Sequence, residues 1–76
     1  MKAFYNDIEP YRILASGMRL TVLPMNDGVY RVCHRGKVLA DLYPEITAAG
    51  VHWNGFGQLQ PWLAEEIGRE IYAFEI

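Results

Sequence analysis

Met18-Arg19-Leu20-Thr21-Val22-Leu23-Pro24 is the stretch that decides the fold. Met18, Leu20 and Val22 alternate with Arg19 and Thr21, and residues two apart share one face of an extended chain. That period predicts a half-buried strand. Met25-Asn26-Asp27-Gly28 follows, and Asp-Gly supplies the positive φ angles that a tight hairpin turn needs. Val29-Tyr30-Arg31-Val32-Cys33-His34 reads as the returning strand. Arg35-Gly36 reads as a second turn, and residues 37–43 read as a third strand. Short consecutive strands joined by tight turns make an antiparallel meander, here over 18–43.

Working outward, Pro44 lacks a ladder donor and is expected to end the third strand. Glu45-Ile46-Thr47-Ala48-Ala49 then predicts one or two helical turns closed by Gly50. Val51-His52-Trp53-Asn54-Gly55-Phe56-Gly57 reads as a further tight hairpin at Asn54-Gly55 or as an irregular loop carrying two aromatic rings. On the other side, Pro10 and Gly17 bracket Tyr11, Ile13 and Leu14 as a first helical residue and a residue past the end would. This suggests a short helix, with an extended segment as the alternative.

Toward the C-terminus, Leu59, Leu63, Ile67 and Ile71 recur every four residues with Trp62 beside them, making one apolar helical stripe. Pro61 is tolerated only in a first turn and fixes the start near Gln60. Gly68 costs about 1 kcal/mol inside a helix, so the helix is expected to run from about 60 to 70. Ile71-Tyr72-Ala73-Phe74-Glu75-Ile76 would then form a closing strand. The expected class is α+β: a small antiparallel meander of three or four strands packed against one main C-terminal helix, in one domain over 1–76.

Composition agrees with a single core. The 76 residues are 51% apolar and 21% charged, which is too apolar for disorder and too short for two cores. In a chain this small, apolar burial barely exceeds ordering entropy, so a dimer or a bound partner would add stability. No apolar run is long enough to span a bilayer, and the opening Met1-Lys2-Ala3-Phe4-Tyr5-Asn6-Asp7 lacks the build of a signal peptide. The one cysteine, Cys33, excludes an internal disulfide. A cytoplasmic protein is the expectation.

Net charge is −2, but it is unevenly spread. Residues 1–38 hold Lys2, Arg12, Arg19, Arg31, Arg35 and Lys37 against Asp7, Glu9 and Asp27. Residues 39–76 hold only Arg69 against Asp41, Glu45, Glu65, Glu66, Glu70 and Glu75. Either a basic sheet and an acidic helix neutralise each other, or one pole steers a partner of opposite sign.

The residues give little support to catalysis. Cys33 and His34 are adjacent and, on a strand, point to opposite faces. His52 has no spacing that ties it to either. There is no CxxC, no HExxH and no glycine-rich phosphate loop, and Gly55-Phe56-Gly57 lacks the third glycine of a dinucleotide fingerprint. The expectation is a non-catalytic protein with no metal and no cofactor.

Binding is the better-supported class. Glu65, Glu66 and Glu70 would form an acidic helical face, with Arg69 placed for ordinary pairing at three and four residues from Glu66 and Glu65. Trp53 or Phe56 would supply an aromatic anchor beside it, unless these rings and Trp62 plug the core instead. A partner with a basic surface is expected there. A homodimer would instead use an apolar or sheet-edge surface, because an acidic patch repels its own copy. The alternative is a nucleic-acid face built from Arg19, Arg31, Arg35 and Lys37, although Tyr30 and Arg31 must then face opposite ways. In size, acidity and lack of catalytic residues the chain resembles the small proteins of phages and other mobile elements, including anti-CRISPR inhibitors. That likeness is of general build only and implies action by occupying a partner's surface.

Overall fold

A computed structural model describes residues 9–57 and 59–75, apart from the Phe56 side chain. Five strands, β1 (Tyr11–Ala15), β2 (Met18–Pro24), β3 (Tyr30–His34), β4 (Lys37–Thr47) and β5 (Gly50–Gly57), precede one helix, α1 (Pro61–Glu75). The strands pair in sequence order, β1-β2-β3-β4-β5, and every pairing is antiparallel. The meander is therefore present and the class is α+β, but it has five strands rather than three or four.

Each additional strand has a local cause. In β1, Tyr11, Ile13 and Ala15 face inward opposite Val22, Leu20 and Met18. The signals read as helical ends serve a hairpin instead. Ser16 and Gly17 take φ values of 52° and 76°, the paired positive φ of a two-residue type I′ turn. Arg35 and Gly36 repeat this at 54° and 80° between β3 and β4. At the β2–β3 connection Gly28 has φ 81°, and the Met25 N–H donates to the Val29 carbonyl at 2.7 Å. That loop spans five residues rather than two.

Pro44 does not end β4. It lies opposite Trp53, and β3 pairs with β4 only as far as Tyr30↔Leu42. The missing Pro44 N–H thus points beyond the end of β3, where no ladder bond is lost. The β4–β5 ladder continues past its neighbours to Thr47↔Gly50, so 43–54 project as a two-stranded arm in place of the expected helical turns and loop. Thr47 Oγ1 closes the tip, accepting from Ala49 N–H at 3.2 Å and donating to the Gly50 carbonyl at 2.9 Å.

The helix starts where Pro61 demands, with the N–H groups of Leu63 and Ala64 donating to the Gln60 carbonyl at 3.0 Å. It then runs through Gly68 to Glu75, so no closing strand forms. Gly68 is tolerated because the Trp53 indole packs on its bare Cα. A methyl built there would lie under 3.0 Å from three ring atoms of Trp53. Trp53 is only 6% exposed and meets Tyr30 edge-to-face at 5.8 Å between centroids. Around it the core joins Leu20, Val22, Val32 and Leu42 of the sheet to Ala64, Ile67 and Ile71 of α1. The helix packs against β1, β4 and β5, closing the concave side of the curled sheet.

Candidate functional site

The helix acids expected to meet a partner are largely engaged inside the molecule. Glu65 Oε2 accepts the Trp53 N–H at 3.2 Å and pairs with His52 Nδ1. Trp53 lies on the outer edge of β5, so this carboxylate occupies one of the edge donors left free by the ladder. Glu66 Oε2 accepts the Ser16 N–H at 2.7 Å, holding the β1–β2 turn. Glu70 is exposed, and its side chain makes no hydrogen bond among the described residues. Arg69 pairs with neither Glu65 nor Glu66, because both look toward the sheet. Trp53 is a core ring. The Phe56 backbone pairs with Asp41, and its side chain lies outside the described part.

Exposed apolar side chains stand at the arm, as they do at Leu14, Met25, Val38 and Phe74. Ile46 and Val51 sit opposite each other on β4 and β5, and they are 77% and 41% exposed. Tyr72, on the adjoining flank of α1, is 53% exposed. Between them runs an open groove of about 450 Å³ lined by Val51, Trp53, Glu65, Arg69 and Tyr72. A second crevice, of about 260 Å³, continues along the β5 edge past Gly55 and Gly57 to Leu59 and Pro61. In the antiparallel alternation, Val51, Gly55 and Gly57 share Trp53's orientation and present their backbone groups to this edge. Trp62, 59% exposed at the start of α1, lies three residues before Glu65 on the same flank. Residues 62, 65, 69 and 72 follow helical spacing, which a reading centred on charge overlooked.

The convex face of the sheet carries Arg12, Arg19 and Arg31. Arg31 points outward and grips Asp41 in a two-pronged pair, Nε–Oδ1 at 2.9 Å and Nη2–Oδ2 at 3.0 Å. Those bonds hold the Asp41 carboxyl below its usual range and raise the Arg31 guanidinium. Tyr30 points the other way, into the core, as the register requires. Arg12, Arg19, Arg35 and Lys37 have no carboxylate partner among the described residues. No sheet arginine or lysine reaches a helix carboxylate there, and Arg12, Arg19 and Arg31 lie on the face opposite the helix.

Cys33 lies on the outer face of β3 opposite Thr21, two strands from His52, and the two are not brought together. Among the described residues no three His, Cys, Asp or Glu side chains converge as a metal would require, and no helix is long and apolar enough to cross a membrane. Comparison with family models, curated proteins and solved structures finds no match for the chain.

Proposed function

We propose that this chain is a non-catalytic protein-binding module that docks its partner in the groove between the β4–β5 arm and α1. One observation carries this reading: Ile46, Val51 and Tyr72 expose apolar surface around a groove whose inner wall is the buried Trp53. Apolar side chains clustered beside a groove and rimmed by charge are the usual mark of a protein contact. Arg69 on the rim offers a fork for a partner carboxylate. The arm itself supports the reading, since Ile46 and Val51 lie beyond the end of the β3 ladder and stay exposed. The likeness of build to small phage inhibitors fits the same mode of action.

Site-specific photo-crosslinking in the native host tests it. A photoreactive residue at Ile46 or Tyr72 should capture one defined protein, while the same residue at Met25, on the β2–β3 loop, should not. With that protein purified, Ile46→Asp should weaken binding at least ten-fold. Equal labelling from all three positions, or adducts only between copies of this chain, would remove the reading.

A further inference from the structure

At the opposite end of the sheet from the arm, the two type I′ turns lie side by side. There an open cleft of about 500 Å³ is walled by Gly17, Met18, Arg19, His34 and Arg35. Lys37 stands across the ladder from His34, on the same side of the sheet as Val32, while Arg12 and Arg19 share the convex face and point away from α1. We propose that this cleft is a binding site for the phosphodiester backbone of a nucleic-acid duplex, separate from the arm groove.

Three observations converge on it. Arg19, Arg35 and Lys37 have no carboxylate partner among the described residues. Glu66, the helix carboxylate toward this end, is held on the Ser16 N–H and forms no ion pair with these cations. Cations not directly paired with a carboxylate repel one another, and a dense external anion relieves that repulsion. Arg35 also stands at φ 54°, in a turn position that Asn or Gly adopts with less strain. Finally, the one ring among the cleft walls is the His34 imidazole, so no row of aromatic faces is offered to successive bases, which favours grip on the backbone over the stacking platforms of single-strand binders. A duplex strand offers a phosphate every ~3.4 Å, a charge density that suits clustered guanidinium forks. Regions of net negative charge elsewhere orient the molecule with this end toward the polyanion.

The test uses the whole chain and a short fluorescein-labelled duplex, followed by anisotropy as salt is raised. Binding should weaken with a log–log slope near −3, as expected for about three phosphate contacts at −0.9 each. Arg35→Asn is the informative variant, because Asn suits the turn. It should keep or raise the thermal midpoint while reducing affinity several-fold and the slope by about one. Arg19→Ala with Arg35→Asn should abolish measurable binding, and Ile46→Asp should leave it unchanged. The proposal is overturned if the duplex does not bind at low salt, or if Arg35→Asn binds like the native chain. Tighter binding of the single strand, or equal competition by polyglutamate, would also overturn it, the latter giving the cleft to an acidic protein.

Discussion

Gly68→Ala should destabilise this protein even though alanine is the better helix former. Position 68 is in the middle of α1, and by propensity alone the change would stabilise by about 1 kcal/mol. The added methyl, however, would lie under 3.0 Å from the Cγ, Cδ1 and Cδ2 atoms of Trp53, well inside the ~3.5–4.0 Å at which carbon atoms attract. Trp53 cannot easily retreat. It is 6% exposed, it abuts Tyr30, and its own N–H is held by Glu65. Overpacking at such a site costs about 1–3 kcal/mol, and the rigid, buried ring places this case near the top of that range. Subtracting the propensity gain leaves a net loss of about 2 kcal/mol. For a chain of 76 residues with a total stability of roughly 4–11 kcal/mol, that is a large fraction. The midpoint of thermal unfolding should fall by about 10 °C. Urea unfolding followed by circular dichroism measures the effect, and Trp53→Ala supplies the control. With the indole removed, Gly68→Ala should change sign and stabilise. A single Gly68→Ala variant more stable than the native chain would refute the packing account of this glycine.

Other outcomes follow from individual contacts. Tyr11 donates to Glu75 at 2.7 Å and stacks on Phe74 at 3.7 Å, and burial first, then that carboxylate, raises its phenol above the ordinary value. A raised folded pKa means stability fully present below about pH 10 and lost progressively above it. Tyr11→Phe should flatten that alkaline decline in a series of urea midpoints, leaving the smaller part due to Tyr30. Asp41 has the opposite sign. Its carboxyl is held low by Arg31, so its contribution is present above about pH 4 and fades as pH falls through the lowered value. Asp41→Asn should remove that acid-range dependence while leaving neutral-pH stability nearly unchanged, as for an exposed pair. Glu65→Ala frees the Trp53 N–H and should lower stability by about 1 kcal/mol. It should also promote concentration-dependent association through the β5 edge, seen by sedimentation.

Much of the sheet was legible because its causes are local. The alternation in 18–24, the Arg35-Gly36 turn and the four-residue recurrence from Leu59 to Ile71 each report a period that the backbone imposes whatever surrounds it. The misread segments are those where two elements share one residue's signal. Gly17 suits a helix end as well as a type I′ turn, and only the Ala15↔Met18 pairing selects the turn. Pro44 stops a strand unless its neighbour has already ended, which is a fact about β3 and not about Pro44. Gly68 breaks a helix unless a ring fills the space above it, and that ring, Trp53, comes from fifteen residues earlier. The candidate sites divide the same way. Sequence alone determined that the chain holds more cations in its first half and more carboxylates in its second. The tertiary structure decided which of those charges remain free. By placing α1 on the concave side it turned Glu65 and Glu66 inward to backbone donors, and it left Arg12 and Arg19 facing solvent on the convex side, with Arg35 and Lys37 exposed at the β3–β4 turn. Charge is a property of a residue, but its availability depends on what the fold sets beside it.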